Sequence, residues 1–186
     1  MTHPYFFGYG SLVNRQTHDY AEAHPARITG WRRTWRHVAT RKVAFLTAYP
    51  SPGSSLDGLI AAVPGGDWDA LDTREHSYLR ETATGVIHAL PTPPEVQIYH
   101  APPDLHAPAS RSHPVLLSYV DTVVQGYLTE FGEAGVHDFF DTTDGWDAPV
   151  RDDRSDPVYP RHQRLGPSER ALVDDALAKA GATVIA

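Results

Sequence analysis

The hydrophobic and polar positions of this 186-residue chain follow a strand-like period in its first half. Alternation of large and polar side chains over short stretches indicates strands. Such stretches, together with a short apolar run at 58–64, occupy residues 4–12, 26–38, 41–49, 58–64, 78–90 and 95–101. Residues 51–57 (SPGSSLD) have the composition of a turn, and the proline-rich residues 101–114 predict a loop.

Helical spacing dominates the second half. Apolar residues recur every three to four positions across 113–132, and GVHDFFDTT at 135–143 predicts a further short helix. The final segment predicts a helix that starts at Pro167 and Ser168 and ends at Gly181. A charged, irregular link is expected at 144–162.

A short helix is also expected in the first half, over WDALDTRE (68–75), with Asp67 as its N-cap. Strands followed by helices favour an α+β fold with a mixed, largely antiparallel, barrel-like sheet and flanking helices. We predict one domain over residues 1–186, strand-rich in 1–101 and helical in 113–186.

Composition narrows the classes of function. Hydrophobic residues make up 41% and charged residues 21%, as in ordinary globular proteins. A formal charge of −7 argues against a general nucleic-acid binder. The chain has no cysteine, which excludes a thiol nucleophile, a disulfide scaffold and a cysteine-ligated zinc. No signal-peptide or membrane-span pattern occurs, so we expect a cytoplasmic protein that does not engage a membrane.

Three weaker patterns in the sequence do not indicate a function. Aromatic and basic residues mix in 31–42, but strand alternation puts Trp31, Arg33, Trp35 and His37 on one face, so nucleic-acid binding is not favoured. The spacing of three histidines matches no compact metal motif, and these are His100, His106 and His113. DDRSD at 152–156 lacks the glycine and glutamate of a calcium loop.

FGYGSL, at 7–12, contains the glycine-rich turn that ends the first predicted strand, 4–12. On its own it fits an ordinary tight turn, in which glycine supplies conformational freedom. It also fits a cradle for an oxyanion or small anion, made by backbone N–H groups and the Ser11 hydroxyl. Its glycine spacing differs from that of a nucleotide P-loop and from that of a serine-hydrolase elbow.

LDTREHSYLR, at 71–80, is the second informative segment. It places Glu75 at the end of a predicted helical turn, just before a strand. Taken alone, it is more typical of a solvated charge cluster with a local Glu–Arg pair than of a catalytic site.

FGYGSL and LDTREHSYLR together resemble the γ-glutamylcyclotransferase-like superfamily, which includes the ChaC and AIG2-like proteins. Further likeness lies in 25–35, 57–64 and 118–127, so the resemblance covers about residues 4–132. The resemblance implies that this chain has the fold of that superfamily. One departure is His76-Ser77, where ChaC-type glutathione enzymes usually have glycines, and this leaves the substrate open.

The resemblance implies a cofactor-free and metal-free reaction on a small γ-glutamyl substrate. The α-amine of the γ-glutamyl group attacks its own γ-carbonyl and releases 5-oxoproline and an amine. Glu75 is the implied acid–base catalyst, and the loop Gly8-Tyr9-Gly10-Ser11-Leu12 is implied to bind the glutamyl group. Tyr78 is expected to line the pocket or to hydrogen-bond to Glu75, with strand packing as the alternative. Tyr119 is a weaker candidate, because its helical spacing fits core packing as well.

Several alternatives stay open. The substrate is glutathione, in a route of glutathione degradation, or another γ-glutamyl amino acid or amine. A deacylase that removes a γ-glutamyl cap is a related enzyme. A non-catalytic module that binds a γ-glutamyl metabolite is a different class, although such a module has no need of Glu75. The sequence also leaves open the oligomeric state and whether 144–162 covers the pocket.

Overall fold

The computed structural model of the protein describes residues 3–38 and 41–186. The strands in these residues are β1 (Tyr5–Gly8), β2 (Ala23–His37), β3 (Phe45–Ala62), β4 (Leu79–Thr82), β5 (Val86–His88), β6 (Val96–His100), β7 (Ala107–Pro108), β8 (Val115–Leu116), β9 (Thr143–Asp144), β10 (Pro149–Arg151) and β11 (Thr183–Ile185). The α-helices are α1 (Asp69–Arg74), α2 (Leu117–Asp141) and α3 (Pro167–Lys179).

The main sheet has the order β4-β6-β1-β3-β2-β5, and β7 and β9 also pair with β2. Its pairs are antiparallel except β1 with β6 and β2 with β9. Strands β11, β10 and β8 form a second, parallel sheet. The predicted α+β class with a mixed, largely antiparallel sheet is confirmed, and across the described strands the pairing follows an open path.

Strand β1 lies inside the main sheet, between β3 and β6. Its aromatic residues suit a strand, and all four of its residues are buried. Because both edges of β1 are hydrogen-bonded to neighbours, the point at which the strand ends is fixed. The segment FGYGSL therefore leaves the sheet from its interior and not from a free edge.

The predicted turn at 51–57 is wrong, because β3 is one strand from Phe45 to Ala62. Its ladder with β2 pairs Trp31 with Pro50 and Thr29 with Ser55, so four residues of β3 lie opposite one of β2. The proline and glycine of this segment therefore lie in a protrusion of β3. The strand continues, because pairing with β2 resumes beyond the protrusion.

The helical half also differs in its boundaries. The predicted helix at 113–132 begins only at Leu117, because Val115 and Leu116 form β8. Most of the segment 135–143 does not form a separate helix. It is the end of α2, which continues past an interruption at Gly132 (φ 69°). The irregular link at 144–162 contains β10, which pairs with β8 and β11.

Two shorter helices match the sequence prediction more closely. Helix α1 lies within the predicted 68–75, although Trp68 rather than Asp67 occupies the N-cap position. The Asp67 carboxylate still accepts a hydrogen bond from the Asp69 amide at 3.2 Å. Helix α3 starts at Pro167 as predicted, and Gly181 follows its end with a positive φ of 76°.

Strand β2 carries the predicted alternation of aromatic and basic residues. Trp31, Arg33 and Trp35 share the buried face, so the two tryptophans are not exposed for stacking on bases. Residues 39 and 40 of the segment 31–42 lie outside the described residues.

Arg33 lies fully inside the core, where its guanidinium joins several elements. Its Nε donates to the Tyr9 carbonyl at 3.0 Å, and its terminal nitrogens donate to Thr142 Oγ1 at 2.6 Å and to the Asp57 carbonyl at 2.8 Å. It also donates to the Tyr127 hydroxyl. Arg33 therefore ties the segment after β1 to β3, to α2 and to the chain just beyond α2.

We predict that Arg33→Met lowers the free energy of unfolding by about 3 kcal/mol or more, because each buried acceptor left without a donor costs about 1–3 kcal/mol. Urea denaturation measures this loss. The control is Arg32→Met, which removes a partly exposed pair with Asp144 and should cost about 1 kcal/mol or less. Equal losses in the two variants would contradict the central role of Arg33.

Candidate active site

Residues 8–12, which we call the glycine loop, turn away from β1 into a short 3-10 turn at Ser11–Val13. Three consecutive carbonyls at this turn are engaged within the protein. The Tyr9 carbonyl accepts from Arg33, that of Gly10 accepts from the Val13 amide at 2.9 Å, and that of Ser11 accepts from the Asn14 amide at 3.1 Å. The carbonyl oxygens of the loop are thus committed to partners in the fold.

A side chain at position 10 would be too close to its neighbours, and glycine avoids this contact. A Cβ at this position would lie 2.7 Å from the Tyr119 hydroxyl and 3.3 Å from Leu46 Cδ2. Gly126 allows a second close approach, because a Cβ there would lie 2.7 Å from the Asn14 amide nitrogen. Helix α2 can therefore pack directly against the segment that follows the loop.

Helix α1 positions Glu75 from the opposite side. Leu71 anchors the helix in the core, and the Asp72 carboxylate accepts hydrogen bonds from the Tyr99 hydroxyl and from Arg80 Nε. Glu75 is the first residue after α1, and its amide donates to the Leu71 carbonyl at 2.9 Å. In the pattern Leu-Asp-x-x-Glu, the leucine and aspartate thus fix the helix, and the glutamate faces a cavity.

That cavity, which we call the inner cavity, has a volume of about 40 Å³. The seven principal site candidates from the sequence line it, namely Gly8, Tyr9, Gly10, Ser11, Leu12, Glu75 and Tyr78. Tyr119 also lines it, as does Tyr99, which the sequence did not indicate. The Tyr78 hydroxyl donates to the Leu46 carbonyl at 2.7 Å and not to Glu75.

Arg74 joins Glu75 to the glycine loop, a role that the sequence did not indicate. Its Nε lies 3.2 Å from Glu75 Oε1, and its terminal nitrogens donate to Ser11 Oγ at 3.2 Å and to the Thr17 carbonyl at 2.9 Å. The side chains of Arg74 and Glu75 are only 9% and 17% exposed. The local Glu–Arg pair expected as a solvated cluster is therefore a largely buried bridge.

Burial is the largest influence on the pKa of Glu75, and it raises that pKa above the ordinary value. The positive charges of Arg74, Arg161 and Arg41 oppose the rise, with Arg74 the strongest of them. Burial also raises the pKa of Tyr78, so its phenol is neutral near pH 7. The inner cavity therefore holds one ionisable carboxyl group among neutral hydroxyl groups.

A second space, the outer chamber, adjoins the inner cavity and has a volume of about 370 Å³. The two spaces share Ser11, Glu75, Tyr78 and Tyr119. The residues of the predicted link 144–162 that reach this chamber are 158–161, and they form one of its walls.

Asp153 holds this wall in place from inside the protein. Its buried carboxylate accepts from the Ser118 amide at 2.8 Å, at the start of α2, and from the Val158 amide at 2.9 Å. Next to Asp153, Arg154 forms a bidentate ion pair with the Asp121 carboxylate. The segment that carries the wall is thus attached to α2 by two carboxylate contacts.

The histidines considered as metal ligands lie in different surroundings. His100 Nε2 lies 3.1 Å from Glu81 Oε2. The ring of His113 stacks on that of His37, with the ring centres 3.9 Å apart. Over residues 3–38 and 41–186, no three histidine, aspartate or glutamate side chains are grouped so that they could hold a metal ion. None of the helices in the described part of the chain is long and apolar enough to cross a membrane.

Solved structures share this architecture. A γ-glutamyl cyclotransferase is similar over 92% of this chain and 98% of its own, with a TM-score of 0.59 and 12% identity. An uncharacterized protein from Homo sapiens is similar over 91% and 97%, with a TM-score of 0.58 and 14% identity. YkqA from Bacillus subtilis is similar over 73% and 52%, with a TM-score of 0.57 and 13% identity.

These similarities show that the chain has the γ-glutamyl cyclotransferase fold, as its sequence motifs predict. No protein-family model matches the chain, and no curated protein matches it in sequence.

We predict that Gly10→Ala destabilises the protein by about 1–3 kcal/mol, because the added methyl group is forced against Tyr119. Tyr119→Phe in the same chain should recover part of this loss, since the nearest remaining ring atom, Cζ, is 3.9 Å away. Unfolding of both single variants and the double variant measures the coupling. Losses that simply add would show that the hydroxyl does not limit residue 10.

Proposed function

We propose that this protein is a γ-glutamylcyclotransferase in which Glu75 transfers protons. The observation that supports this most is a largely buried carboxyl group facing a small cavity whose other wall is the glycine loop. In the proposed reaction, the substrate α-amine nitrogen bonds to its own γ-carbonyl carbon, and the C–N bond to the leaving amine breaks. The products are 5-oxoproline and a free amine, and no water is consumed.

Glu75 supplies what this reaction lacks at neutral pH. An α-amine with a pKa of about 8 is largely protonated and cannot attack a carbonyl. The carboxylate accepts this proton and returns it to the leaving nitrogen, a contribution of typically about 10²–10⁴-fold. Because burial raises the pKa of Glu75, the gap to the amine pKa is smaller and the proton is more easily shared in both directions.

The glycine loop supplies hydrogen-bond donors. In a planar trans peptide, the C=O points away from the N–H of the next residue. The carbonyls of Tyr9, Gly10 and Ser11 are bonded within the fold. The following N–H groups therefore point the other way, and we assign them to the glutamyl group and to the developing oxyanion. One such donor contributes on the order of 3 kcal/mol to the transition state.

Proton transfer and positioning are sufficient for this lyase-type reaction, so the mechanism calls for no cofactor, metal or enzyme nucleophile. The substrate already holds nucleophile and electrophile in one molecule, and the cavity needs only to fold it into its reactive shape. The candidate substrates are glutathione and other γ-glutamyl amino acids or amines.

We predict that Glu75→Gln lowers kcat/KM by about 10²–10⁴-fold without unfolding the protein, since it removes the proton acceptor and keeps the side-chain size. The assay is mass spectrometry of 5-oxoproline after parallel incubation with glutathione, γ-glutamyl-alanine and γ-glutamyl-lysine. Glu133→Gln, at an exposed position of α2, is the matched control and should retain activity. Undiminished turnover by Glu75→Gln would refute the role of Glu75. Tight binding of these compounds without turnover would favour a binding module.

We also predict a change in the pH profile when Arg74 is replaced. Glu75 must be ionised to accept a proton, so activity is lost as pH falls through its pKa. The charge of Arg74 lowers this pKa. Arg74→Gln should therefore move the acid limb of kcat/KM to higher pH, and Arg74→Lys should move it less. An acid limb that stays in place in both variants would contradict this assignment.

A further inference from the structure

The outer chamber is rich in positive charge although the chain as a whole carries a formal charge of −7. Three guanidinium groups line it, those of Arg41, Arg74 and Arg161. Arg74 is paired with Glu75, whereas Arg41 and Arg161 form no ion pair with any carboxylate in the described part of the chain. Two cationic groups are thus available to an anion that enters the chamber.

We propose that Arg41 and Arg161 bind a carboxylate on the leaving group of the substrate and so select γ-glutamyl derivatives of amino acids over those of simple amines. This inference rests on the proposed function. If the glutamyl group occupies the inner cavity beside Glu75, the bond that breaks lies at Glu75. The leaving amine then extends into the outer chamber, because Glu75 is one of the residues that both spaces share.

The positions of the two arginines suit this role. Arg161 lies on the wall at 158–161, and Arg41 lies just before β3, where it donates to the Ser77 hydroxyl at 2.9 Å. The two groups therefore approach the chamber from different elements. The charges of both reach Glu75, since each lowers its pKa. A guanidinium offers parallel N–H donors that match the two oxygens of a carboxylate.

The remaining lining suits an apolar side chain. Phe45, Val158 and Tyr159 contribute apolar surface to the chamber, and Val158 is 48% exposed. A leaving amino acid with an aliphatic or aromatic side chain would cover this surface while its carboxylate meets the arginines. A leaving diamine would instead place a second ammonium group beside two guanidinium groups, which is electrostatically unfavourable.

The test uses two substrates that differ only in the carboxylate, γ-glutamyl-phenylalanine and γ-glutamyl-phenethylamide. Both carry the same glutamyl α-carboxylate, so the ratio of their kcat/KM values reports on the leaving group alone. We expect the wild-type protein to prefer γ-glutamyl-phenylalanine by about tenfold or more. Arg161→Gln and Arg41→Gln should each reduce this ratio, and the double variant should bring it closest to the intrinsic ratio of the two leaving groups.

Arg164→Gln is the matched control, because Arg164 lines a different cavity from Arg161 and should leave the ratio unchanged. The difference in basicity between the two leaving amines is the same in every variant and cancels in the comparison. A wild-type ratio near one, or a ratio unaffected by both arginine replacements, would overturn the inference while leaving the proposed function intact. If neither of these two substrates nor any of glutathione, γ-glutamyl-alanine and γ-glutamyl-lysine released 5-oxoproline, the proposed function would be overturned and the inference with it.

Discussion

The guanidinium of Arg33 lies fully inside the core and donates to the Tyr9 carbonyl from behind the glycine loop. The Tyr127 hydroxyl of α2 donates to the same carbonyl at 3.0 Å. A buried cation requires such partners, since an unsatisfied one would cost several kcal/mol. These contacts affect more than stability, because fixing the direction of the Tyr9 carbonyl also fixes that of the next N–H group, which points the opposite way.

A second guanidinium, that of Arg74, contacts the same loop at Ser11. It touches the hydroxyl of Ser11 and the carboxylate of Glu75, so the distance between loop and carboxyl group is set by one side chain. The positive charge of Arg74 and the burial of Glu75 have opposite effects on the pKa of Glu75. Burial raises the pKa of Glu75 and the arginine lowers it, which keeps a mostly enclosed carboxyl group able to ionise.

The local features of the sequence predicted much of this arrangement. The order of FGYGSL and LDTREHSYLR indicated the fold, and their residues line one cavity. Features that depend on distant pairing were missed. Residues 51–57 have turn composition, yet pairing with β2 keeps them in one strand. The Arg74–Glu75 pair could be read from the sequence, but its burial depends on Ser11 and Thr17, which lie far away along the chain. The wall at 158–161 likewise depends on Asp153 reaching α2.

The most direct test of the central claim is the fate of labelled atoms. The purified protein is incubated, in water enriched in oxygen-18, with a γ-glutamyl substrate whose α-amine carries nitrogen-15. Cyclisation promoted by Glu75 predicts 5-oxoproline that keeps nitrogen-15 in its ring and contains no oxygen-18. Glutamate that carries oxygen-18 would instead show attack by water, and it would contradict the account of Glu75 and the glycine loop given above.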